Sequence, residues 1–508
     1  MKNQLRLGVI ISYINLAISS FIPFIYTPIM LRMLGQSEYG LYSLAHSAVS
    51  YLSLLSFGFG STIIRYIAKY RAENNKDALQ RTYGFFILLY SLLAILVLIG
   101  GIIISQNIEP IFHQGLTSSE QSKMRILVLI MTFNTALSFP ISVFSSIITA
   151  YERYVYRKII DMFATLGAPI ANLIALYLGY ASVGMSVAAT VIQFIMLPLY
   201  AGYCFKVLKL KPKFSILPKS LIKELFGFSM FVFLGSLVDM LFWSTDKVIL
   251  GMLSSSTAVA IYNVGGTFNN IVMQLSTSIS GVLTPKITGM VVKKATKDEM
   301  TELFIRIGRL QFIIIAIIVS GFTVFGKVFI NLWAGAEYAD AYWVTILTLF
   351  PLCIPLIQNT GLSIIIAQNK HQFRSIVYLI IAIANVISTY LVVPTMGYIG
   401  AALCSCISYL LGQGLIMNIY YYKVVGINIP LFWKNILKLS AIPGSMLIIG
   451  MIVMSFFNIV GWGDFILGVM IYSCIYAILM YKLSLNDYEK DIFRKPILRA
   501  YKLVVKKQ

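Results

Sequence analysis

Residues 150–159 read AYERYVYRKI, and residues 367–376 read AQNKHQFRSI. Aligned without a gap, they pair Ala150 with Ala367, Arg153 with Lys370, Tyr156 with Phe373 and Arg157 with Arg374. Further on, ANLIALYL (171–178) pairs with ANVISTYL (384–391), matching Asn172 with Asn385 and Tyr177 with Tyr390. Each match alone is weak. In the same order, and in corresponding apolar runs, they predict two homologous halves.

The chain around these stretches is strongly apolar. Only 12% of the 508 residues are charged, against roughly 25% in a soluble domain, and the mean hydropathy is +0.83. Apolar runs of about 20 residues, the length that crosses a bilayer as a helix, number about fourteen. The expected fold is therefore an all-α polytopic membrane protein of about 14 transmembrane helices, in two six-helix repeats plus a C-terminal helix pair. The expected boundaries are an N-terminal bundle at 1–205, a basic cytoplasmic linker at 206–226 and a second bundle at 227–423. The extra helix pair follows at 424–482, and a basic cytoplasmic tail at 483–508. Each repeat holds an even number of helices, so both begin on the same side of the membrane as parallel repeats about an axis along its normal.

Lys and Arg number 40 and Asp and Glu 19, a net charge of +21. With the N-terminus in the cytoplasm, all the basic residues fall on inner segments except Arg32, Lys123, Arg125, Lys247 and Lys327. That asymmetry is the positive-inside pattern. It puts both termini in the cytoplasm and explains the basic excess without nucleic acid. Lys2 and Arg6 before an apolar run superficially match a secretory signal. The run is long, contains Pro23 and Pro28 and lacks a small-residue cleavage site, so it is read as a retained first helix.

Catalytic and cofactor chemistry finds no footing. Cys204, Cys353, Cys404, Cys406 and Cys474 lie in or beside apolar runs without a pairing or ligand pattern, which implies packing and neither disulfide nor metal. No cofactor is expected. Segments between runs stay under about 25 residues, too short for a soluble catalytic domain. The chain has no GxxxxGK[ST] phosphate loop, and Glu109 and His113 in an outer loop lack the partners a catalytic set needs.

The polar residues that remain sit near helix ends and within runs. RMLGQSEYGLYSLA (32–45) turns the chain between the first two runs, and its Leu34, Gly35 and Tyr42 correspond to Leu250, Gly251 and Tyr262. Arg32 then falls near Lys247 in the alignment, and Arg65 near Lys286. A guanidinium can donate two parallel hydrogen bonds to an anion, and Lys247 would add a mobile point charge. The alternative is that Arg32 and Lys247 snorkel to the outer interface, and that Arg65 and Lys286 are ordinary inner anchors. Asp239, Trp243 and Asp246 fall at i, i+4 and i+7, on one helical face with Lys247 at its edge. Two carboxylates in an apolar stretch either couple transport to protons or sodium, or serve packing through an Asp246 pair with Lys247 or Arg32. Asp161 is expected to pair with the adjacent basic loop. Amides within the runs, among them Asn134, Asn172, Gln193, Asn269 and Gln358, can hydrogen-bond a polar substrate or bridge helices. Pro23, Pro28, Pro351 and Pro355 are expected to bend the first and tenth helices.

LRMLGQSEYGLYSLA (31–45) followed by FGFGSTIIRYIAKY (57–70), then DKVILG (246–251), IYNVG (261–265) and INLWAGAEY (330–338), resemble the multidrug, oligosaccharidyl-lipid and polysaccharide exporter superfamily. Within it the likeness is to the bacterial Wzx-type polysaccharide flippases of the O-antigen and capsule kind, and it runs along nearly the whole chain. The resemblance implies a non-enzymatic protein of the bacterial cytoplasmic membrane. Such a protein moves a polyprenyl-diphosphate-linked oligosaccharide, an O-antigen, capsule or exopolysaccharide unit, from the inner to the outer leaflet by alternating access. Its implied partners are that lipid-linked oligosaccharide, a proton or sodium ion, and other polysaccharide assembly proteins. One departure is AVAIY where the first hairpin has EYGLY, which implies that the two hairpins behave differently. Two alternatives share the superfamily: a flippase for the peptidoglycan precursor, and a cation-coupled multidrug exporter. Exporters usually have twelve helices, so the extra pair counts against the second. A polytopic glycosyltransferase, polymerase or ligase would need an outer catalytic loop that this chain lacks.

Overall fold

The computed structural model describes residues 2–214, 219–293, 295–368, 370–457, 459–492 and 494. Side chains are described for the same residues except 2–14, 16, 17, 20, 219–222, 224, 226, 228, 231, 279, 281–286 and 371. Among the described residues the chain is helical almost throughout, with no strand. The all-α membrane class is thereby established. Among the described residues, nine helical segments are long and apolar enough to cross a bilayer, or ten when Ala341–Ile357 and Asn359–Ala367 are joined as one bent span. The segment Gln372–Val425 contributes one of the nine although it is 54 residues long, and the backbone turns within it at Gly397, φ 53°.

The chain packs as two compact units, Met1–Asn263 with Ala382–Ala401, and Val264–Ile381 with Ala402–Gln508. The first unit contains α1 (Lys2–Leu34), α2 (Gln36–Ser50), α3 (Phe59–Ala72), α4 (Lys76–Gln106), α5 (Ile108–Phe112), α6 (Ser118–Ala150), α7 (Tyr154–Tyr177), α8 (Ala181–Gly202), α9 (Lys219–Trp243) and α10 (Thr245–Leu253). It also takes the start of α11 (Ser256–Val292). The second unit takes the rest of α11, then α12 (Lys297–Trp333), α13 (Ala341–Ile357) and α14 (Asn359–Ala367). It holds most of α15 (His371–Tyr409), with residues 382–401 in the first unit, then α16 (Met417–Tyr420), α17 (Ile429–Phe456) and α18 (Trp462–Leu479).

Local chemistry explains where helices start and stop. Thr117 and Glu120 form a capping box before α6, and Thr296 and Glu299 form another before α12, each satisfying amides that the first helical turn leaves open. Gly35 is the one residue between α1 and α2, and its φ of 73° is what lets the chain turn there without a Cβ clash. The second span, residues 36–72, is broken in its middle. A 3₁₀ turn at Tyr51–Ser56 ends in two successive left-handed residues, Phe57 at φ 47° and Gly58 at φ 65°. Pro23 and Pro28 lie inside α1, and the pair Pro351 and Pro355 precedes a 45° bend between α13 and α14.

Each unit has its own apolar core. In the first, Phe59, Phe86, Tyr90 and Phe139 are buried together, the Tyr90 and Phe139 ring centroids lying 5.7 Å apart. In the second, α17 and α18 close over α12 through Phe325, Met446 and Tyr472. The aligned repeat has a physical counterpart within each unit. Tyr156 stacks on Tyr203, centroids 3.8 Å apart, and Phe373 stacks on Tyr420 at 4.3 Å, the partner standing the same number of residues downstream in each case. A short π-helical turn follows each stack, at Tyr203–Val207 and Tyr421–Val425.

Candidate functional site

The first hairpin is clamped by carboxylates. Glu38, in the first turn of α2, accepts from Lys123 Nζ at 2.6 Å and from the Ser182 hydroxyl. Glu120 accepts from the Ser37 hydroxyl at 2.7 Å and from that of Ser256 at 2.5 Å. These contacts tie α2 to the starts of α6, α8 and α11. Gly40 makes the tie possible, because a Cβ there would stand 1.8 Å from the Ser256 carbonyl oxygen. Lys123, expected only as an outer charge, is thus the ion-pair partner of the hairpin's glutamate.

Below the hairpin a polar stripe runs down α2. Tyr39, Tyr42, His46 and Ser50 recur every three or four residues and so share one side of α2, and Ser53 follows in the 3₁₀ turn. Part of the stripe meets α10 and α11. Lys247 Nζ donates to Asn263 Oδ1 at 3.0 Å, and Asn263 Nδ2 donates to the Tyr39 hydroxyl at 2.6 Å. Asp246 is fully buried (0% exposed). It accepts from the Tyr262 hydroxyl at 2.5 Å and from Thr389 Oγ1 at 3.3 Å. Tyr51 bonds Thr245 beside it.

The rest of the stripe lines a cavity of ≈ 440 Å³ between α2, α6 and α8. Its walls include Tyr42, His46, Ser50, Asn134, Ser138 and Gln193, and Lys247 stands within electrostatic reach of His46. Asn134 donates to the Ser186 carbonyl at 3.4 Å, and its side-chain oxygen is buried with no partner among the described residues. Nearby, Asn172 Nδ2 donates to the Tyr26 hydroxyl at 3.1 Å.

The structure therefore sorts the residues singled out from the sequence. Lys247 and Asp246 lie together in the first unit. Arg32 is in the last turn of α1 and exposed, and Arg65 is exposed on α3. The Lys286 side chain lies outside the described residues. Asp239 does not share the setting of Asp246: the helix is interrupted at Ser244, Asp239 is exposed and Asp246 is buried. A periodicity counted through Trp243 into Asp246 assumed one continuous helix. Asp161 accepts from Tyr200 at 2.6 Å and faces Arg157 at 3.7 Å, in the basic stretch expected for it. Of the amides, Asn134 and Gln193 reach the cavity. Others bridge helices, with Asn269 donating to Thr348 at 2.7 Å and Gln358 to Asn418 at 2.8 Å. Tyr42, His46 and Ser138 were not anticipated as cavity residues; for Tyr42 and His46 the polar spacing along α2 was the available signal. Among the described residues no three His, Cys, Asp or Glu side chains gather as a metal site, and the five cysteines are free thiols.

Comparison with known proteins gives a consistent frame. Residues 5–291 match a family described as polysaccharide biosynthesis protein. An uncharacterized membrane protein of Methanocaldococcus jannaschii is 26% identical over 380 residues, covering 72% of this chain and 74% of that protein. The uncharacterized membrane protein EpsK of Bacillus subtilis is 22% identical over 439 residues, covering 83% of each. Among solved structures, the lipid II flippase MurJ in an inward closed conformation superposes with a TM-score of 0.74 at 16% identity, over 97% of this chain and 99% of that one. An inward-facing multidrug resistance transporter of the MATE family, in the MOP superfamily, gives 0.61 at 13% identity, over 81% of this chain and 99% of that one. These likenesses establish a shared fold.

Proposed function

The chain belongs to the polysaccharide biosynthesis protein family, and on that premise we propose that it is a flippase moving a polyprenyl-diphosphate-linked oligosaccharide from the cytoplasmic to the outer leaflet. The observation that carries this reading is a cavity of ≈ 440 Å³ lined by hydroxyls, amides and an imidazole between α2, α6 and α8, in the unit where Lys247 joins Asn263 and Tyr39. Such a substrate keeps its lipid tail in the bilayer, while its diphosphate and sugars need polar company across the hydrocarbon. A cavity of hydroxyls, amides and an imidazole suits the sugars. Lys247, and Arg32 at the end of α1, suit the diphosphate.

In this reading the helices make about fourteen crossings with both termini cytoplasmic, in a cytoplasmic membrane. The protein is a transporter and not an enzyme. An inside-negative potential favours outward movement of an anion by about 2.3 kcal/mol per charge per 100 mV, so a diphosphate of roughly two charges gains several kcal/mol. Asp246 is the better of the two ion-coupling candidates, because it is the buried one and is met by two hydroxyls. Arg65 and Lys286 are assigned to the inner mouth, where a diphosphate enters.

Removal of the gene tests the reading. Lipid-linked oligosaccharide is expected to accumulate while surface polysaccharide falls, and the wild-type gene restores both. Lys247→Ala and Arg32→Ala are expected to restore export about tenfold less well, the loss of one charge-assisted hydrogen bond each. Unchanged polysaccharide in the deletion strain contradicts the proposal.

A further inference from the structure

We propose that the cavity between α2, α6 and α8 is a sugar site selective for an uncharged pyranose, in which Asn134 and Gln193 set specificity. This rests on the flippase reading and deepens it. Three observations in the first unit converge. Among the described residues the walls carry hydroxyl, amide and imidazole groups but no carboxylate, lysine or arginine. An ionised uronate or sialate would meet no counter-charge in that lining, whereas the hydroxyls of a neutral sugar find hydrogen-bond partners there. Lys247 stands outside the lining, bonded to Asn263, and in the flippase reading its charge meets the diphosphate.

The second observation is the orphaned Asn134 oxygen. Its amide N–H is used by the Ser186 carbonyl, so the side chain is held with a buried acceptor left open. Buried acceptors are rarely left without a donor, and a sugar hydroxyl or acetamido N–H supplies one. Val49, Met131 and Ala189 give the same walls an apolar component, and Tyr42 an aromatic ring. A pyranose presents both kinds of surface, carbon-bound hydrogens on its faces and hydroxyls around its rim.

The third is the break in the second span. Ser50, at the end of α2, and Ser53, in the 3₁₀ turn Tyr51–Ser56, line the cavity, while Phe57 beyond the turn stacks on Phe233 with centroids 4.9 Å apart. Irregular backbone at membrane depth is tolerated where it faces a polar cavity, and discontinuous helices place polar groups at ligands. At ≈ 440 Å³ the space is in the ~300–1,000 Å³ range of small-molecule sites.

The test uses the full chain in proteoliposomes with two probes that differ in one group. Both are polyprenyl-diphosphate disaccharides, one ending in a neutral N-acetylhexosamine and the other in the same sugar oxidised at C6 to its N-acetylhexosaminuronate. Movement is read as the fraction of each probe reached by impermeant periodate. Wild type is expected to move the neutral probe about tenfold faster or more, since the uronate has no counter-charge in the walls. Asn134→Ala and Gln193→Ala are each expected to slow the neutral probe about three- to tenfold, one hydrogen bond's worth. Two variants guard against one of them failing to fold. Equal wild-type rates for the two probes, or wild-type rates for the neutral probe in both variants, overturn the sugar site and leave the flippase reading standing. Movement of neither probe by the wild type overturns that reading and the site with it.

Discussion

Gly40 illustrates how one residue can hold a membrane protein's architecture. Its missing Cβ lets α2 approach the Ser256 carbonyl, and the methyl of Gly40→Ala would have to displace backbone. Overpacking of that kind costs about 1–3 kcal/mol. The variant is expected to melt earlier in fluorescence-detected size-exclusion chromatography, whereas Gly266→Ala, which meets open space, is expected to melt with the wild type. Asp246→Asn makes a second residue-scale case. It keeps hydrogen-bonding capacity for Tyr262 and Thr389 while removing the charge, so folding is expected to persist and any sodium or proton dependence of transport to disappear. Transport by Asp246→Asn that keeps the wild-type ion dependence contradicts the coupling role. At this scale the sequence was partly legible. Asn134 and Gln193 stood out because amides in apolar runs are costly to leave unsatisfied, but so did Asn269 and Gln358, which the fold spends on neighbouring helices. Only three-dimensional packing separates the two outcomes.

At the scale of elements, the ends and breaks of helices carry the argument. Glu120 caps α6 and holds Ser37 and Ser256, so Glu120→Ala is expected to destabilise the protein by about 1–3 kcal/mol, more than a cap alone. The second unit has a different fastening. Arg309 on α12 and Glu489 beyond α18 form a buried ion pair at 2.6 Å, and Arg309 also donates to the Ser484 carbonyl at 3.3 Å. Removing one partner leaves the other buried and unpaired, so Arg309→Ala is expected to cost about 3–5 kcal/mol. The double change Arg309→Met with Glu489→Leu is expected to recover most of that, read as the shift in melting temperature of the purified protein. In the tenth expected span, Pro351 and Pro355 precede the 45° bend at Gln358. The break at Phe57 and Gly58 was written in the sequence as FGFG, but two glycines near apolar residues also fit close helix packing. The helical period likewise misled between Asp239 and Asp246, because it presumes an unbroken helix where Ser244 interrupts one.

For the whole molecule, composition alone settled the class, since 12% charge leaves no soluble alternative. The internal repeat reached further. Matching Tyr156 with Phe373 anticipated a residue pair that each unit uses in the same way, stacked on an equivalent tyrosine. What the sequence hid was the grouping of distant segments: residues 382–401 pack with the first unit, bringing Thr389 to Asp246. A one-dimensional reading has no means of joining positions that far apart. The central claim, a flippase for lipid-linked glycan, belongs to this scale, and its most direct test is the sidedness of that lipid in spheroplasts with and without the gene. An impermeant glycan-binding probe is expected to lose access on deletion, with total lipid-linked oligosaccharide maintained, and to regain it when the gene is returned. Undiminished probe access in the deletion strain, accompanied by new sensitivity to cationic dyes, would contradict the flippase account and point to a drug exporter.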